Sequence, residues 1–131
     1  MPTNENYLEW IRFAEDDLES AKILANYYKP KIEISCYHCQ QSAEKILKAF
    51  LIFNMIEHSF THDLVKLCSD CYEIDQSFSN IFSHCDALNR YIARTRYPSP
   101  IEITEYDMRQ ALKHADEVIT FVKEKLSKEN H

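Results

Sequence analysis

Apolar residues recur at steps of three and four through most of this 131-residue chain, the spacing that lays one hydrophobic stripe along an α-helix. Tyr7, Trp10, Ile11, Ala14, Leu18, Ala21, Ala25 and Tyr28 mark such a stripe and predict a first helix from Asn4 to Tyr28, stopped by Pro30. Cys36, Cys39, Ala43, Ile46, Leu47 and Phe50 predict a second, from about Ile32 to Ile56, whose end is blurred by "NMIEHSF". Thr61 is placed to cap a shorter third helix, with Asp63 in its first turn, where a carboxylate suits the helix dipole. Leu64, Leu67 and Cys71 then face inward. A fourth helix, from about Gln76 to Arg94, carries Phe78, Ile81, Phe82, Cys85, Leu88 and Ile92 and is broken by the prolines of "RYPSP". The fifth starts at Thr104, whose hydroxyl caps it while Asp107 reaches back, and its stripe is Met108, Ala111, Leu112, Ala115, Ile119, Val122 and Leu126. Five amphipathic helices with short connections predict an all-α fold, an up-and-down antiparallel bundle, and the length fits one domain over residues 1–131. The final "SKENH" is expected to fray.

Composition sharpens this picture. There is no glycine, so neither a phosphate-cradling P-loop nor a dinucleotide-binding fingerprint can exist, and tight hairpins lose their usual turn residue. No apolar run approaches the roughly 20 residues of a spanning helix, and "MPTNENYLEW" has neither a basic start nor a small-residue cleavage site. A cytoplasmic protein without membrane contact is expected. The net charge of -6 argues against non-specific coating of nucleic acid, which needs positive surface to release counterions, but leaves room for a local basic patch.

The densest chemistry lies in "SCYHCQQSAEKILKAF", Ser35 to Phe50. At 100° per residue, Gln40 falls at the edge of the apolar side and is expected to be a hydrogen-bonded buried amide. Gln41, Lys45 and Lys48 fall together on another side with His38 nearby; they form either a solvated face or a surface able to hold a phosphate. The pairs Cys36/Cys39 and Cys68/Cys71, with His38 and His62 near them, have the formal spacing of a zinc site. They sit inside predicted helices, however, and buried thiols explain them, so no metal and no cofactor is predicted. His62 and Asp63 are adjacent on a helix and point about 100° apart, which rules out a simple dyad while leaving His62 as a candidate ligand contact. In "NRYIARTRYP", Arg94, Arg96 and Tyr97 can grip a phosphate and stack on a base, or form an intramolecular lock, with Arg94 or Arg96 pairing to an acid such as Asp17 or Glu44 and Tyr97 packed beneath Pro98.

Together, "WIRFAEDDLESA", "CYHCQQSAEKILKAFL", "THDLVKL" and "YIARTRYP", in this order and across nearly the whole chain, resemble the HEPN domain family. The resemblance implies a helical bundle, usually homodimeric, often partnered by a minimal nucleotidyltransferase, with a nucleotide or RNA as ligand. Many members are metal-independent ribonucleases, frequently toxins of toxin–antitoxin systems, that use an Arg followed four to six residues later by His. "RQALKH", Arg109 to His114, matches formally. Five residues on one helix separate side chains by about 140°, and Gln110 and Asp116 stand where the common motif has other residue types. The "RYP" subgroup, which this chain resembles more closely, commonly lacks the catalytic pair. The expectation is therefore a non-catalytic binding module using Gln41, Lys45, Lys48, His62, Arg94, Arg96 and Tyr97. A ribonuclease toxin using Arg109 and His114 is the alternative, and a purely structural interaction protein is a third.

Overall fold

The computed structural model describes residues 6–57, 60–92 and 102–129. Five α-helices are seen, α1 (Tyr7–Asn26), α2 (Ile32–Phe53), α3 (Leu64–Ile74), α4 (Phe82–Leu88) and α5 (Glu105–Glu129), and no strand occurs among the described residues. The all-helical architecture anticipated above is what the chain adopts.

Helix α2 is the axis of the molecule. It packs against α1, α3, α4 and α5, and most of its residues from Ser35 to Leu51 are buried. The close approach of α1 follows from its small inward residues: Ala14, Ala21 and Ala25 are fully buried, and Ser35 Oγ donates to the Ala21 carbonyl at 2.8 Å. On the opposite side, Phe78 bridges α2 and α5, with ring centroids 4.5 Å from Phe50 and 5.1 Å from Phe121. Offset and edge-on aromatic packing of this kind adds to the area it buries.

The helix ends are closed without glycine. After α2, Met55 takes φ 64°, the Met55 amide donates to the Ile52 carbonyl, and the Ile56 amide donates to the Leu51 carbonyl, both at 2.9 Å, the arrangement that usually recruits glycine at a helix C-terminus. Beyond α1, whose C-cap Tyr27 is extended, Lys29 takes φ 55° and the Lys31 amide donates to the Leu24 carbonyl at 3.0 Å. Met55 and Lys29 both accept the left-handed cost that a side chain imposes. At α5 the expected reciprocal cap is present: the Asp107 amide donates to Thr104 Oγ1 at 3.1 Å and the Thr104 amide to Asp107 Oδ2 at 2.9 Å.

Two expectations need correction. Asp63, not Thr61, caps α3: its side chain accepts from the amides of Val65 and Lys66, and Thr61 Oγ1 instead accepts from the Asp63 amide. The continuous helix expected from Gln76 to Arg94 is broken into a 3-10 segment (Gln76–Ile81), α4, and a 3-10 turn (Asn89–Tyr91). Asp75 accepts from both the amide and the hydroxyl of Ser77, at 3.0 and 2.6 Å, and such local side-chain bonds compete with a regular helical start. Phe78, Ile81, Cys85 and Leu88 are buried as expected, but Ile92 is exposed.

Candidate functional site

His38, Gln41, Lys45 and Lys48 succeed one another at steps of three, four and three, so they share a face of α2. In this row His38, Gln41 and Lys45 are half-buried and Lys48 is buried, and two carboxylates organise it. Asp17, reaching over from α1, accepts from His38 Nδ1 at 2.9 Å and from Lys45 Nζ at 2.5 Å. Glu44 accepts from Lys48 Nζ at 2.8 Å and from His62 Nδ1 at 3.0 Å. The amides stitch the second cluster together: Gln40 Nε2 donates to the His62 carbonyl at 2.9 Å, and Gln41 Nε2 to Gln40 Oε1 at 2.8 Å.

The seam is thus two groups of the same composition, each a carboxylate holding one ammonium and one imidazole. With the imidazoles neutral, each group carries no net charge; each gains one positive charge when its histidine is protonated. Engaging Nδ1 with a carboxylate fixes the ring and leaves Nε2 turned away from it. Access differs sharply along the row: the His62 side chain is 61% exposed, Lys45 28%, and Lys48 only 6%. Lys48 is sealed beneath the surface, its ammonium 5.9 Å from the centre of the Trp10 ring.

Local structure explains why His62 sits there. Asp63 caps α3 and also accepts from Asn89 Nδ2 at 2.9 Å, while Asn89 Oδ1 accepts from the Leu64 amide at 2.9 Å. This pair of hydrogen bonds to the end of α4 fixes the turn that presents His62 to Glu44. Arg94, Arg96 and Tyr97 lie outside the described residues. The acids named above as their intramolecular partners, Asp17 and Glu44, already hold lysines and histidines.

The formal Arg–His pair is divided. The Arg109 guanidinium reaches the end of α1, donating to Asn26 Oδ1 and to the Ala25 carbonyl, both at 3.3 Å. His114 turns instead to α4, its Nδ1 2.9 Å from His84 Nδ1. Burial, and secondarily the neighbouring His84, holds His114 below the ordinary histidine value.

All five cysteines are buried and free. Burial pushes Cys36 up to about 11 and raises Cys39 and Cys71 as well, which keeps them as thiols rather than nucleophilic or metal-binding thiolates. Two of them donate to carbonyls of neighbouring elements: Cys71 Sγ to Leu47 on α2 and Cys68 Sγ to Phe78 in the 3-10 segment. Away from the seam, a groove of about 580 Å³ between α1 and α5 is floored by Leu18 and Ile119 and flanked by Glu15, Glu19, Asp116 and Glu124.

Helical phase locates Gln40, Gln41, Lys45 and Lys48 but not His62, which lies before the Asp63 cap of α3 rather than on the helix as expected, and it does not show that Glu44 joins His62 to Lys48, or that Asp17 joins His38 to Lys45. The i,i+4 spacing of Gln40, Glu44 and Lys48 is the only local signal for the first group. Nothing local announces the second, whose members come from two helices.

A helical bundle with a polar seam along its central helix is the class of protein these observations define. The HEPN domain family matches residues 7–125, and the chain belongs to it. A Methanocaldococcus jannaschii protein named "Putative toxin MJ1304" is 32% identical over 134 residues, spanning 88% of this chain and 84% of its own. Among solved structures, TT1696 from Thermus thermophilus has the same fold, with a TM-score of 0.82 at 23% identity over 95% of this chain and 99% of its own. ST0689, an archaeal HEPN homologue, aligns with a TM-score of 0.72 at 26% identity over 95% of this chain and 98% of its own.

Proposed function

We propose that this chain is a non-catalytic, homodimeric HEPN module that binds a phosphate-bearing ligand, a nucleotide or RNA, or a nucleotidyltransferase partner, along the α2 seam. The observation that supports it most is the division of Arg109 from His114, which engage α1 and α4 respectively. Metal-independent cleavage of RNA needs an acid–base imidazole and a phosphate-holding cation at one phosphodiester, and one subunit directs these two side chains to different neighbours. The seam instead offers His62, Lys45 and Gln41 as its accessible polar groups, with Lys48 acting from below by holding Glu44 in place. Arg94, Arg96 and Tyr97 complete the proposed ligand set through guanidinium–phosphate contact and base stacking.

Titration of ATP and of a short single-stranded RNA at low and high salt tests this reading. Lys45→Ala, His62→Ala and Arg94→Ala are expected to weaken binding, by a larger factor at low salt, because screened charge contacts supply much of the affinity. Affinity unchanged in all three would reject the seam as the binding surface.

The toxin name of the Methanocaldococcus jannaschii relative favours a second reading, a ribonuclease in which two copies bring Arg109 and His114 together across an interface. Robust RNA cleavage by the purified protein that disappears in both Arg109→Ala and His114→Ala would establish it. Cleavage that is absent, or indifferent to both substitutions, supports the binding module.

A further inference from the structure

His84 and His114 lie thirty residues apart in the chain and on different helices, yet their Nδ1 atoms are 2.9 Å apart and their ring centres 5.1 Å apart. Each is anchored by a buried neighbour, Cys85 on α4 and Ala115 on α5, so helix packing rather than a flexible loop fixes the distance between the rings. Among the described residues neither ring is ion-paired with a carboxylate, in contrast to His38 and His62. At this distance one Nδ1 donates to the other, which accepts through its lone pair.

The same two nitrogens are a donor set for a borderline cation. Neutral imidazole suits zinc, copper and nickel, and two imidazoles each bound at about 2.0–2.1 Å to one tetrahedral ion have ring centres roughly 5 Å apart. The observed separation therefore needs only rotation of the two rings, with the donated proton moving to Nε2 of its own imidazole, and no displacement of α4 or α5. We propose that His84 and His114 form a two-imidazole binding site for a divalent transition-metal cation, zinc being the ion its spacing fits. Among the described residues no third His, Cys, Asp or Glu is grouped with the pair, so water fills the remaining positions and the site is open to an outside donor. The cysteines whose spacing suggested zinc take no part, being buried elsewhere as thiols.

The test uses the untagged protein and zinc chloride alone. Calorimetric titration is expected to give one ion per chain, and added zinc to raise the thermal midpoint through binding to the folded state. His84→Ala and His114→Ala should each weaken zinc binding at least about tenfold, since even the outer partners of a metal ligand are worth that much, whereas His38→Ala and His62→Ala should not. Binding that survives both His84→Ala and His114→Ala would overturn the proposal, as would no zinc binding at all. Should the alanine variants fail to fold, pulsed electron paramagnetic resonance of the wild-type protein with Cu²⁺ decides the matter: coupling to two imidazole nitrogens is expected, and coupling to fewer rejects the site.

Discussion

Glu44 is the residue on which the seam depends. Its carboxylate is almost fully buried and accepts from Lys48, His62 and, at 3.4 Å, Gln40. A buried ion pair contributes little net stability over a well-packed apolar pair, because desolvation offsets the attraction, but removing one partner strands the other charge. Glu44→Ala should therefore destabilise the protein by about 3–5 kcal/mol, measured by urea denaturation, and release the His62 ring from its fixed orientation. The double variant Glu44→Leu with Lys48→Met should recover most of that loss. If the single variant is as stable as the parent, Lys48 has another route to solvent or charge, and the account of a sealed pair fails. Helical phase alone makes Lys48 a face residue. Its burial arises because Trp10 and Glu44 cover a position that the helical wheel leaves open.

At the scale of elements, side-chain oxygens set the starts of α3, of the 3-10 segment after it and of α5. Asp63 satisfies two amides of α3 and one amide group of Asn89, so it joins a cap to a contact between α3 and the end of α4. Asp63→Ala is expected to lower stability by about 1–2 kcal/mol and also to loosen His62 on the seam, seen as weaker hydrogen-exchange protection at the start of α3. An unchanged exchange pattern would mean that Asn89 alone holds the turn. The Thr104/Asp107 cap of α5 was legible because both partners lie within four residues. The break between residues 76 and 91 was not: its apolar spacing fits a single helix, and that periodicity outweighed the local bonds from Ser77 to Asp75 that compete with it.

For the whole molecule, the HEPN reading carries an expectation of assembly. Light scattering at micromolar concentration should report twice the mass of one chain, and a monomer alone would remove the homodimeric part of the proposed function. A dimer that dissociates on Lys45→Ala or Gln41→Ala would assign the seam to self-association instead of ligand binding. The sequence by itself determined the helical class, the number of main helices and most of the core, because a 3.6-residue repeat of apolar side chains is a local property that burial rewards wherever the helix packs. It also marked the candidate face, since i,i+3 and i,i+4 neighbours share a helix surface in any context. Tertiary structure alone decided which of those residues solvent can reach, that Arg109 and His114 face different helices, and that Asp17 meets Lys45, Glu44 meets His62, and His84 meets His114. Each of these contacts joins residues from different helices or across a turn, and such a distance is set by how helices pack rather than by how far apart residues lie along the chain.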